Sequence, residues 1–334
     1  MNSSNTKQEG IKKKLILLIF MIIAVLSFFI SIGNGAVKIS FKEILNAVLF
    51  EEATVNYQII WNVRLPRTIV AALVGTCLAL SGAILQGVMR NPLAGPNIIG
   101  VSAGAGLLTL IVLIIFPSYY FLAPAGAFVG ALLATLLIYF LAWKEGVVPM
   151  RLILAGVAVS SLLGAGTNAI MTFYPDKVSG IIGFMVGGLS ATNWRHVSTI
   201  FPYATIGIIL LLFIPNKLNI LMLGDEVATG LGINVEKTRF LFIIISSLLA
   251  GAAVSVAGLL GFVGLIVPHI TRLFIGSDYR YLLPATIFTG SSIVVICDTI
   301  SRVIFAPMEI PVGIIMSALG APFFLYLLRR REKN

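Results

Sequence analysis

Apolar residues along this chain come in long unbroken runs, with neither the strict alternation of a half-buried strand nor the narrow stripe of a surface helix. The runs cover 15–32, 65–88, 98–116, 121–143, 152–173, 197–214, 240–258, 262–275, 282–303 and 312–328. An α-helix needs about 20 residues to cross the hydrocarbon core of a bilayer. The pattern therefore predicts an all-α integral membrane protein of ten transmembrane helices, with residues 1–334 as a single membrane domain. The eighth run is short and contains Pro268, so nine spans is the alternative count. Two segments exceed a minimal loop. Residues 33–63 carry the amphipathic piece FKEILNAVLF, read as a short interfacial helix. Residues 215–239, PNKLNILMLGDEVATGLGINVEKTR, set apolar positions between charges.

Composition agrees: 58% of the 334 residues are hydrophobic and 11% charged, too few polar groups to cover a soluble domain. Charge then sets orientation, because Lys and Arg are retained on the cytoplasmic side. Ten spans with an inside N-terminus put sixteen of the 23 Lys and Arg residues inside. Both termini, the tail of about 1–14 and the 215–239 loop are thus expected in the cytoplasm, and the protein in a bacterial cytoplasmic membrane. The first run follows Lys12-Lys13-Lys14, but no small-residue cleavage site follows it, so it reads as a retained helix. The net charge of +10 is this topology signal, and nothing separate supports a nucleic-acid partner. Cys77 and Cys297 fall inside spans, where packing is the usual role. No His, Cys and carboxylate cluster has metal-ligand spacing, so no metal site is expected.

Sliding the chain against itself by 176 residues places Gly75, Gly82, Pro92 and Gly100 on Gly251, Gly258, Pro268 and Gly276. Five spans separate the copies, and an odd number means the second copy, helices 7–10, crosses upside down relative to helices 2–5. Inverted repeats are a transporter architecture.

Several motifs carry candidate chemistry. G-x-S-x-G at 100–104 is the pattern of a hydrolase nucleophile, but it opens an apolar helix after the Pro- and Gly-rich stretch RNPLAGPNII, without the strand that such a turn requires. It reads as a cytoplasmic re-entry turn in which small residues allow close helix approach. The fifth span places Gly156, Ser160, Gly164 and Asn168 at steps of four, and the last repeats this with Gly313, Ser317 and Ala321. Two readings stand: tight packing, or a face toward a subunit interface and pore. Asp298 is the only carboxylate deep inside a span; with Arg302 one turn later, local neutralisation is favoured over a proton relay. Gly-Lys occurs nowhere in the chain, so there is no P-loop, and any ATP site belongs to a partner.

The blocks RLPRTIVAALVGTCLALSGAILQGVMRNPLAGPNIIGVSAGAG (64–106), LGDEVATGLGINV (223–235), GFVGLIVPHITRL (261–273) and EIPVGIIMSALGAPFFLYLL (309–328) resemble the FecCD family. These are permease subunits of type II ATP-binding-cassette importers for iron–siderophore complexes, haem and cobalamin. The resemblance spans about residues 15–330 and implies a transport subunit with no catalytic residues and no cofactor of its own. ATP and magnesium sit on the partner ATPase. The implied partners are a second permease, as homodimer or related heterodimer, two cytoplasmic ATPases, and an extracytoplasmic binding protein. The resemblance makes the cytoplasmic loop around Gly224, Asp225, Glu226, Ala228, Leu231 and Gly232 the ATPase-docking element. It matches Arg64, Arg67 and Arg302 to outer arginines that meet the binding protein, and places Asn91 and Leu93 near a cytoplasmic gate. A ferric siderophore is the expected cargo, with haem or cobalamin as alternatives and an ion-coupled secondary transporter as the competing class.

Overall fold

The computed structural model describes residues 3–35, 40, 55–144, 146–190 and 192–331. The FKEILNAVLF piece at 41–50 lies outside them. Each of the ten apolar runs is a helix: α1 (Ser3–Gly33), α2 (Leu65–Val88), α3 (Val101–Leu110), α4 (Ala123–Ala142), α5 (Pro149–Phe173), α6 (Trp194–Phe213), α7 (Val235–Ala257), α8 (Val263–Ile275), α9 (Tyr279–Val303) and α10 (Val312–Arg331). Seven are long and apolar enough to cross a bilayer; the three shorter apolar helices are Val101–Ile115, Val263–Ile275 and Val312–Leu325. Successive helices alternate direction, so the turns at 89–100, 143–148, 214–234 and 276–278 gather at one end, called here the inner end.

Helix α2 is the axis of the bundle, buried over almost its whole length and packed against α7, α8 and α9. It is apolar all round because no side of it meets water. Small residues make that packing close. A Cβ at Gly75 would stand 2.1 Å from the Gly290 carbonyl oxygen, and one at Gly290 2.6 Å from that of Gly75, so α2 and α9 touch backbone to backbone. By contrast α1, α5 and α6 are thinly buried and show apolar faces outward, as surfaces toward lipid or another subunit do.

Helices α3 and α8 are short because the chain ahead of each folds back into the bundle. Pro96, in the turn before α3, packs on Gly264 in the first turn of α8, and Gly264 in turn packs on the middle of α2. Irregular backbone at that depth must be satisfied within the protein. Leu259 N donates to Phe184 O (2.8 Å), Gly188 N to Ala257 O (2.9 Å) and Gly313 N to Gly187 O (2.9 Å). These bonds tie the short helix Ile182–Val186 between the α7–α8 turn and the start of α10. Pro268 sits buried inside α8 without ending it, so the eighth apolar run is one continuous helix.

The order of elements repeats, with α2–α5 followed in kind by α7–α10. The 176-residue register does not hold in detail. The helices begin at Leu65 and Val235, and at Val101 and Val263, whereas the 176 shift sets Gly100, which opens α3, on Gly276, which closes α8. Glycine recurs there because both positions have positive φ, +74° and +85°, and such termini favour glycine wherever they occur.

Candidate functional site

The inner-end loop is two short helices, Pro215–Met222 and Asp225–Gly230. Gly224 joins them at φ +109°, a conformation side chains rarely adopt, and Gly232 leaves the second at φ +80°. The loop is held at three places. Asn219 donates from Nδ2 to Asp278 Oδ1 (2.8 Å) and accepts at Oδ1 from Tyr279 N (2.9 Å), which fixes the first helix to the start of α9. Asp278 also accepts from Arg280, and these bonds, Arg280 foremost, push its carboxyl down to about 2. Asp225 receives Arg239 Nη2 on both oxygens, at 2.9 and 3.0 Å. Arg239 is 2% exposed and donates further to Val147 O (2.6 Å) and Glu236 (3.3 Å). On its open side Asp225 lies 3.6 Å from Arg90, in the turn after α2. Ala228 is buried beneath the second helix, while Leu223, Val227 and Leu231 stand exposed with Glu226 among them. A water-soluble connector has no reason to present three apolar side chains this way; a surface awaiting a partner does.

The opposite end brings Arg64, Arg67 and Arg302 together, as a common docking role requires, but not as free outward charges: the three are 5%, 5% and 4% exposed. Arg67 grips Asp298 bidentately, Nη2 to Oδ1 at 3.0 Å and Nε to Oδ2 at 3.1 Å. Its Nη1 reaches Glu309 at 2.7 Å, in the turn before α10. Arg302 lies 3.2 Å from Asp298, so the expected i,i+4 pair is present but is the smaller part of the cluster. Arg302 also donates to Ser31 Oγ (2.7 Å), Ser31 O (3.2 Å) and Asn34 O (3.1 Å), and Arg64 donates to Ile32 O (2.7 Å). These carbonyls end α1 and lack helical partners of their own. Arginine at a helix C-terminus satisfies them and complements the helix dipole. These bonds give the two arginines a structural role of their own, because they pin an otherwise thinly packed helix.

The small-residue stripes divide between the two readings. A Cβ at Gly156 would meet Ile98 O at 1.8 Å and one at Gly313 would meet Val186 O at 1.8 Å, so the first residue of each stripe is packing. Further along, the Ser160 hydroxyl is buried with no partner among the described residues, Gly164 has open space and Asn168 is exposed. Of the two gate residues, Asn91 shapes its turn, accepting from Leu93 N at 2.9 Å. Leu93 lines a cavity of about 120 Å³ with Asn97, Ser102 and Phe262. Sequence reasoning missed Asn97, Asn219, Arg239, Arg90 and Glu309. The basic ones had been counted only as topology signals, and their partners lie at sequence separations that no periodicity reports.

Residues 21–330 match the FecCD transport family. The chain is 40% identical over 330 residues to the Fe(3+)-citrate import system permease protein YfmE of Bacillus subtilis (strain 168), covering 98% of each. It is 43% identical over 277 residues to the cobalamin import system permease protein BtuC of Halobacterium salinarum (strain ATCC 700922 / JCM 11081 / NRC-1), covering 82% of this chain and 74% of that one. Among solved structures it is similar to an inward-facing metal-chelate-type ABC transporter, with TM-score 0.82, 30% identity, and 95% and 99% of the two chains covered.

Proposed function

The chain belongs to the FecCD transport family and is the multi-pass permease of an ABC importer; from that premise we propose that its cargo is a ferric siderophore complex. Full-length similarity to an iron–citrate permease supports this over cobalamin, for which the matched relative is covered to 74%. The subunit itself does no covalent chemistry. With no P-loop in the sequence, ATP and magnesium belong to a separate cytoplasmic ATPase.

The observation that carries the mechanism is the inner-end loop: two short helices, one anchored by Asn219 and the other by Asp225, beneath three exposed apolar side chains. Leu231, Val227 and Leu223 seat in a groove of the ATPase. ATP binding draws the two ATPases together and moves the loops, and Asp225 passes that motion to α7 through Arg239 and to the turn after α2 through Arg90. The inner end, with both termini, faces the cytoplasm. A second permease, either another copy or a related chain, packs against the open half of α5, where Gly164 and Asn168 leave room for a passage between subunits. The binding protein docks at the Arg64, Arg67 and Arg302 end; since Glu309 already holds Arg67, an incoming carboxylate competes with it.

The test is uptake of ferric citrate by proteoliposomes holding the permease, its ATPase and its binding protein. ATP-dependent uptake that survives dissipation of the proton gradient is expected. Uptake driven by the gradient without ATP would instead make the chain a secondary transporter.

A further inference from the structure

A cavity of about 450 Å³ opens at the outer end, where α3, α4, α6 and α7 come together. It plays no part in the transport path described above. At its inner limit is Thr109 of α3, wholly buried, whose hydroxyl has no hydrogen-bond partner among the described residues. An unpaired buried hydroxyl is costly unless something meets it. Across from it, in the first turn of α6, stand Arg195 and His196. Arg195 is exposed, and among the described residues its guanidinium makes no ion pair and no hydrogen bond. His196 commits Nδ1 to the Asn193 cap, which leaves its second ring nitrogen for a ligand.

The rest of the lining is largely apolar, with Leu113, Phe121, Phe184 and Val256; its other polar side chains include Asn193, which caps α6, and Thr199 and Ser255, whose hydroxyls donate to helix carbonyls, and it contains no carboxylate. The cavity therefore offers cationic and neutral donors above an oily wall and nothing for a ligand's cation. Tyr119, Tyr120 and Phe121 are exposed at the mouth, the residue type enriched at membrane–water interfaces. Farther toward the middle of the bundle, the Phe128 and Tyr203 rings meet at 4.9 Å and join α4 to α6. Beyond them the two helices expose Leu133, Leu137, Ile206 and Leu210.

We infer that this cavity holds the headgroup of an anionic phospholipid, its phosphate on Arg195 with Thr109 as second donor and its acyl chains along the α4–α6 seam. The volume lies within the range of small-molecule sites, about 300–1,000 Å³. Charge-assisted bonds to phosphate are strong and directional. A zwitterionic lipid would bring an ammonium group that no acid in the cavity meets.

Trp61 and Trp194 lie beside the site, joined by a 2.9 Å hydrogen bond, and the third tryptophan, Trp143, is at the inner end. The experiment uses the full-length Trp143→Phe permease in mixed micelles, with fluorescence quenched by brominated-chain phosphatidylglycerol or brominated-chain phosphatidylcholine. Half-quenching is expected at about tenfold less phosphatidylglycerol, the factor that about one charge-assisted contact supplies. Arg195→Gln should erase the difference, Arg195→Lys should keep most of it, and Thr109→Val should narrow it severalfold. Equal quenching by the two lipids before any change at the site overturns the inference, as does a preference that survives Arg195→Gln. Millimolar inorganic phosphate should leave the preference intact; if it abolishes it, the ligand is free phosphate and the lipid assignment is wrong.

Discussion

Two arginine clusters stand at opposite ends of the bundle and use the same pairing in different surroundings. At the outer end, Arg67, Arg302 and Asp298 are all inside the protein, and only Glu309 reaches the surface. At the inner end Arg239 is equally buried, but Asp225 is 44% exposed and shares itself with the partly exposed Arg90. A desolvated pair is rigid, because separating it strands a charge where no water can replace the partner. A pair with one dry and one wet member can yield on the wet side while the dry side holds. The outer cluster is thus built as a clamp on α1, and the inner one as a joint between the inner loop and the helices behind it.

The comparison breaks most readily at Asp298. Asp298→Asn leaves Arg302 desolvated without a counter-charge and Arg67 with Glu309 alone, and should cost about 3–5 kcal/mol, read as a large fall in thermal unfolding temperature in detergent. Asp225→Asn should cost about 1 kcal/mol or less, since water reaches Asp225 and the buried Arg239 keeps Glu236 as a counter-charge. Equal losses in the two variants would erase the distinction.

Next in size is the exposed apolar face of the inner loop. Leu231→Asp should weaken capture of the ATPase by about 2 kcal/mol or more, the scale of an interface hot spot, while the unfolding temperature stays at the wild-type value. Copurification of the ATPase with the permease measures it; undiminished copurification would remove Leu231 from the contact.

Much of this architecture was legible from pattern alone. All ten helices appear in the runs, because a bilayer imposes a length and a uniform polarity that are written locally. The inner loop was found the same way, since apolar residues between charges are conspicuous in a short stretch. The clamp was read only in part. Asp298 and Arg302 are one turn apart and visible as a pair, but Arg67 and Glu309 meet them from distant positions, and the burial of the three arginines is set by that tertiary packing. The re-entry turn was recognised from its prolines, whereas its depth, set by Pro96 against Gly264, depends on tertiary packing that the turn itself does not encode.

A smaller effect sharpens the outer side. Glu309→Gln frees Arg67 Nη1 from a half-exposed carboxylate and should strengthen docking of the loaded binding protein severalfold, within about 1 kcal/mol for a surface pair. Surface plasmon resonance on nanodisc-embedded permease would detect it, and weakened docking would show that Glu309 belongs to the docking surface itself. The smallest effect is acid sensitivity at Asp278. Its carboxyl sits at about 2, below the ordinary 3.8. Its contribution to stability is therefore complete above the ordinary value and is lost as pH falls through the lowered one. The stability gap between wild type and Asp278→Asn should narrow on acidification below about pH 4, measured by thermal unfolding; a gap that widens would contradict the assignment.

The division into a fixed clamp and a moving joint is tested most directly by paired spin-label distances in the reconstituted importer, with and without ATP. One pair joins Val227 to Trp143 at the inner end, the other Val63 to Met308 beside the clamp; all four positions are exposed. The inner distance should change when ATP is added and the outer distance should stay fixed. An outer distance that shifts with ATP while the inner one holds would contradict the account.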